Sequence, residues 1–224
     1  MKKRHWLHAF VCGGMVLLFH SCASISGFQT GRTVGKDAGE IIFSVNGTRT
    51  FEFKELSNDS LGLDDFSIFA PNIELGGRFG ISEKVDFGIR ANTNLNILAD
   101  VKVQVAGNQE SVFALATGVG LGMFGFVSGA GGLFNFQVPL YASVHPTESL
   151  DLYLAPRYIG QWGTTFSESS GLLNYWGANV GFLAGRKTKF GIDVAYYGVN
   201  GAGGNFNDSL FQIGFGMKFK IGGK

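Results

Sequence analysis

Residues 132–160, "GLFNFQVPLYASVHPTESLDLYLAPRYIG", are two runs of strict alternation joined at a turn. Phe134, Phe136, Val138, Leu140, Ala142 and Val144 share one face, and Asn135, Gln137, Pro139, Tyr141, Ser143 and His145 share the other. Successive side chains of a strand point to opposite sides. In a soluble sheet the apolar face is the inside, whereas in a membrane barrel it is the outside. Which of the two holds here fixes the fold class.

Alternation of this kind recurs along the chain. It predicts ten strands: Glu40–Asn46, Phe69–Ile81, Val85–Leu95, Asp100–Ala106, Val112–Gly122, Leu133–His145, Leu150–Ile159, Asn174–Ala184, Lys189–Tyr197 and Ser209–Ile221. Most are close to the 9–11 or so residues that a tilted strand needs to cross a bilayer. The first and fourth are short, and without them an eight-stranded barrel is the alternative.

The connections alternate in length, as transmembrane barrels require. Residues 82–84, 107–111, 146–149 and 185–188 are short links, whereas 47–68, 123–132, 160–173 and 198–208 are long. The link 96–99 breaks the pattern by being short where a long one is expected. Aromatics on the apolar faces fall at strand ends, with Phe134, Tyr158, Trp176, Tyr196 and Phe211 beside long loops. Phe87, Phe190 and Phe219 lie at the opposite ends. Two interfacial girdles are the expected result.

The polar faces carry both signs of charge among many glycines. Glu74 and Arg78, Asp86 and Arg90, Asp151 and Arg157, Asp193 and Lys218 read as a charge network inside a lumen. Glu74 with Arg90, and Asp86 with Arg78, are the expected bridges. Glycine supplies 35 of 224 residues, more than twice the usual share. Charged residues are only 16%, too few to solvate a soluble all-β surface of this length well. The expectation is therefore an all-β, ten-stranded, antiparallel, up-and-down transmembrane barrel.

The N-terminus reads as a signal peptide, residues 1–21: Lys2, Lys3 and Arg4, an apolar stretch from Trp6 to Phe19, then small residues. Leu18 to Cys22 resembles the lipobox of bacterial lipoproteins. That resemblance implies a lipid anchor on Cys22 and a tether over residues 22–38, ahead of a barrel over 39–224. Ordinary cleavage after Ala23, at a small-x-small site formed with Ser21, is the alternative.

Removing the signal takes Cys12 and three of the four histidines, so no intramolecular disulfide is possible and His145 is the one imidazole left. With 18 basic and 17 acidic residues before removal, the mature chain is slightly acidic. That excludes nucleic acid as a partner.

Over residues 39–224 the chain resembles the small outer-membrane β-barrel proteins of diderm bacteria. The stretch "GFQTGRTVGK", residues 27–36, resembles the lead-in found before some such barrels. The resemblance implies outer-membrane lipid as the surroundings, loops outside and termini in the periplasm. Surface ligands or small solutes are the implied partners. The C-terminus departs from the family, since Phe219 is followed by Lys-Ile-Gly-Gly-Lys rather than ending the chain.

Candidate chemistry is sparse. Residues 120–125 match G-x-G-x-x-G, but a strand rather than a helix follows, so Gly118, Gly120 and Gly122 read as lumen-face spacers. Ser143 and His145 share a face near Glu148, yet residues two apart on a strand lie roughly 6–7 Å apart. That is beyond the roughly 2.6–3.2 Å a nucleophile and base need. No catalytic residue, cofactor or metal site is expected, because one histidine and no spare cysteine cannot build the usual metal sets. The acidic residues of the loop 47–66 lack calcium-loop spacing. A structural or surface-interaction role comes first, a narrow channel second and a lipid hydrolase last.

Overall fold

A computed structural model describes residues 24–49, 69–127, 131–164, 172–201 and 207–222. The signal residues 1–21, the candidate anchor Cys22 and the long loop 50–68 lie outside the described residues. Ten strands form: β1 (Ala38–Arg49), β2 (Phe69–Ser82), β3 (Val85–Asn92), β4 (Asn96–Ala106) and β5 (Phe113–Val127), then β6 (Gly131–Thr147), β7 (Leu150–Thr164), β8 (Leu173–Gly185), β9 (Thr188–Gly201) and β10 (Asn207–Gly222). Every strand pairs antiparallel with its chain neighbour, and β1 closes on β10 from Ala38↔Gly222 to Arg49↔Phe211. The result is a closed ten-stranded barrel, which leaves no sheet edge unpaired.

The two short predicted strands are longer than their alternation suggested. β1 continues to Arg49, where Gly47 and Thr48 still pair with β10, and β4 starts at Asn96. The tight link is therefore residues 93–95, not 96–99, and the expected long link 123–132 narrows to 128–130 because β5 and β6 extend into it. Asn92 holds it, its side chain accepting from the backbone N–H groups of Asn94 and Asn96, 3.1 Å each. Leu95 takes a positive φ of 59° there.

The wall alternates as the sequence requires, with the apolar side outward. Val119 (62%), Leu121 (67%) and Trp176 (61%) are exposed, whereas Arg78, Asp86 and Lys102 are at most 1% exposed. Near the long-loop ends the outward aromatics pack on one another: Phe134 with Trp162 at 5.9 Å, and Tyr158 with Trp176 at 4.3 Å between ring centroids.

The largest departure concerns the expected tether. Residues 24–37 do not hang outside the barrel but run up through its lumen, and nearly all of 24–35 are buried. The segment enters at the short-turn mouth, where the Asp37 N–H donates to Gly80 O at 3.3 Å. Phe28, mid-segment, packs among Ile42, Tyr153 and Leu183. Further in, Ile25 joins Ile159, Tyr175, Ala195, Tyr197, Val199 and Leu210 in an apolar cluster.

Lumen-face glycines make room for this plug. A methyl group on Gly216 would come within 2.7 Å of the Phe28 ring. Phe28 itself has φ of 47°, a conformation that a bulky residue keeps only when its surroundings fix it.

Gly216→Leu should therefore displace the plug while leaving the barrel closed. Limited trypsin digestion of the folded protein checks this: wild type should resist cleavage after Arg32, and the variant should be cut there.

Candidate functional site

A polypeptide inside a barrel must find partners for its own N–H and C=O groups, because stranded buried polar groups are costly. The lumen wall supplies them. Asp193 of β9 accepts the Gly27 N–H at 3.1 Å, and Asp86 of β3 accepts the Val34 N–H at 3.1 Å to each oxygen. Tyr153 accepts the Phe28 N–H through its hydroxyl (3.1 Å), Ser143 the Gly31 N–H (2.9 Å), and Gln104 the Thr33 N–H (2.9 Å).

Cations and amides hold the plug carbonyls. Arg90 donates to Ser26 O at 3.0 Å, Lys102 to Arg32 O at 2.7 Å and Asn179 to Ile25 O at 2.7 Å. Arg157 and Gln137 both reach Ser24 O, at 3.4 and 3.1 Å, while the Ser24 hydroxyl contacts Glu74.

All eight charges read from the sequence as a network face the lumen, but not in the expected pairs. Glu74 and Arg90 do approach, at 3.6 Å. Asp86 does not pair with Arg78; it takes Lys102 at 3.3 Å, and Arg78 takes Asp100. Asp100 and Lys102 sit one step around the wall on β4, opposite β3 in the register Asp86↔Lys102 and Gly88↔Asp100. Both residues lie inside the strand expected over Asp100–Ala106, and their part in the network emerges only from the register with β3. Lys218 pairs with Glu40 of β1 at 3.1 Å. Arg157 binds plug carbonyls and Gln137 rather than a carboxylate.

Nearer the short-turn mouth stands a second constellation. The Ser143 hydroxyl lies 2.8 Å from His145 Nε2, and His145 Nδ1 lies 2.7 Å from Asp151 Oδ1. Lys189 donates to the other Asp151 oxygen at 2.6 Å. The distance that excluded this contact in the sequence is a backbone spacing. The imidazole is long enough to span it by folding back along the strand.

The third member is Asp151, not Glu148, and a β-bulge explains why. Between Val144↔Leu152 and Thr147↔Leu150, two residues of β6, His145 and Pro146, oppose the single Asp151. Such a bulge re-aims a side chain, and Pro146, with no N–H to pair, is tolerated in it. His145 thereby stays on the lumen side facing Asp151.

Below these residues a cavity of about 800 Å³ opens at the mouth. His145, Asp151, Lys189 and the lower part of the plug line it, with Lys36, Arg186, Lys187 and Lys220. Among the described residues no cluster of three or more His, Cys, Asp or Glu is arranged to hold a metal ion.

No described protein family and no curated protein matches the chain. Among solved structures, the outer membrane protease OmpT from Escherichia coli is similar at 10% identity and a TM-score of 0.41, over 88% of this chain and 100% of that one. The translocator domain of the autotransporter NalP from Neisseria meningitidis matches at 11% identity and a TM-score of 0.36, over 98% of each chain. Ail, the attachment invasion locus protein of Yersinia pestis, matches at 13% identity and a TM-score of 0.34, over 83% of this chain and 99% of that one. The class of this chain rests on its own strand register: a closed antiparallel barrel with an apolar exterior and a lumen filled by its own N-terminal segment.

Asp86→Ala should leave Lys102 buried without its carboxylate and the Val34 N–H without an acceptor. Breaking one side of a buried pair costs about 3–5 kcal/mol. A urea titration of the detergent-refolded protein should show a loss of that order, while outward-facing Val103→Ala should stay within about 1 kcal/mol.

Proposed function

We propose that the protein is an outer-membrane β-barrel with a structural or surface-interaction role, its long loops outside and its C-terminus in the periplasm. The apolar exterior and the aromatics gathered near the end of the barrel that carries the longest loops support the membrane setting. One observation carries the preference for a structural role over a channel: residues 24–37 occupy the lumen, hydrogen-bonded by side chains from eight of the ten strands. A ten-stranded barrel lies between those filled by side chains and those wide enough for an aqueous channel. Here the extra space holds a peptide.

Planar-bilayer recording tests this reading. Wild type should give no conductance steps, and a variant lacking residues 24–34 should give them. Steps of similar size in both proteins would reverse the preference and support a narrow solute channel.

The plug also bears on how the N-terminus is processed. Ser24 O binds Arg157, the central residue of β7. At about 3.3 Å per residue and a tilt near 40°, the barrel extends roughly 18 Å along its axis from there to either end of β7. The two-residue link from Ser24 back to Cys22 spans at most about 7 Å. A lipid on Cys22 would need a route from the lumen to a leaflet. Cleavage after Ala23 needs none, and leaves the Ser24 amine in the lumen beside Glu74. We favour that processing. The intact mass of protein purified from membranes should begin at Ser24, and a mass carrying acyl chains on Cys22 would overturn it.

A further inference from the structure

We infer that Ser143, His145 and Asp151 form a serine-nucleophile site for anionic acyl esters, silenced by the plug. This goes beyond the structural role proposed above. Each connection is the one acyl transfer uses: hydroxyl to Nε2 at 2.8 Å, and Nδ1 to carboxylate at 2.7 Å. Asp151 fixes the tautomer by accepting a hydrogen bond from Nδ1–H, which leaves Nε2 free to take the proton of the Ser143 hydroxyl. Lys189 holds the far oxygen of Asp151 and orients it. The three residues come from both strands of the β6–β7 hairpin, which is a rigid support.

The nucleophile is occluded. Ser143 is 2% exposed, and its oxygen already accepts the Gly31 N–H of the plug at 2.9 Å. A hydroxyl lying along an N–H bond sits in the peptide plane, not above the Thr30 carbonyl carbon, so the plug is an occluder and not a substrate. His145 and Asp151, by contrast, line the cavity at the short-turn mouth. Seven basic and five acidic side chains line it, and with Lys189 paired to Asp151 and Lys218 to Glu40 the balance stays positive, which suits an ester bearing negative charge.

With the plug drawn aside, Ser143 Oγ attacks the acyl carbon while its proton passes to His145 Nε2. The tetrahedral adduct collapses, the ester C–O bond breaks, and the departing alkoxide takes that proton and leaves as the alcohol. Water, deprotonated by His145, then attacks the acyl-Ser143 carbon. The Ser143 oxygen recovers the proton, and a carboxylic acid is released.

An alkyl fluorophosphonate is the first probe: Ser143 Oγ bonds phosphorus, fluoride leaves, and His145 accepts the proton. Gly31→Ala should free the hydroxyl, because a methyl there collides with the Ala114 carbonyl and must lift the plug. Deletion of residues 24–34 removes the block outright, and a heat-dependent gel shift reports that each variant has folded. Wild type should label slowly, and both variants at least about tenfold faster. His145→Gln in the deletion variant should slow labelling by about 10²-fold or more, and Ser143→Ala should abolish it. A folded deletion variant that labels no faster than its Ser143→Ala counterpart would overturn the site. For the substrate class, the deletion variant should hydrolyse the p-nitrophenyl hemiester of succinate with a lower KM than p-nitrophenyl acetate. Lys187→Glu should erase that difference; equal KM values before the change would overturn the anionic preference.

Discussion

The constraint on which the rest of the structure depends is the need to satisfy a polypeptide backbone placed inside a protein. Residues 24–37 bring a row of N–H and C=O groups into a space closed off by the wall, and each unpaired group there would cost of order 1–3 kcal/mol. The lumen face answers with carboxylates, hydroxyls and amides toward the N–H groups, and with arginine, lysine and amide donors toward the carbonyls. Charged residues that would be expensive alone are thus paired with one another and with the plug. This explains why both signs of charge share the lumen.

The same need accounts for the glycines. Gly214 and Gly216 leave the surface against which the Phe28 ring lies, and Gly27 passes Asp193 at a separation no side chain would permit. Glycine in a strand interior marks a close approach of another backbone or group. In this barrel that group is the protein's own N-terminal segment. The wall's bulge at His145 and Pro146 serves a comparable purpose at the mouth, turning an imidazole toward Asp151.

Much of this was legible in the sequence. All ten strands followed from alternation, and so did the sidedness of the wall, since Glu74, Arg78, Asp86, Arg90, Asp151, Arg157, Asp193 and Lys218 share the face opposite Val119, Leu121 and Trp176. Which charge meets which was not legible. The stagger between neighbouring strands selects the partner, and it set Lys102 rather than Arg78 against Asp86. The contact of Ser143 with His145 was missed because strand spacing measures backbone positions, while the reach of a ring depends on its rotamer. No local signal marked the bulge: Pro146 falls in the expected link 146–149, and Pro139 and Pro156 keep regular register elsewhere in the wall.

By itself the sequence determined an apolar-out barrel wall of ten strands, because the period-2 pattern is a local property of the chain. Only the tertiary structure decided what fills the lumen. Residues 24–37 have the polar, glycine-bearing composition of a linker, and nothing local distinguishes a linker in water from one threaded through a barrel. The difference lies in partners more than 50 residues away, such as Asp86 for Val34, Arg90 for Ser26 and Asp193 for Gly27. Those partners surround the segment on the lumen face of the closed barrel.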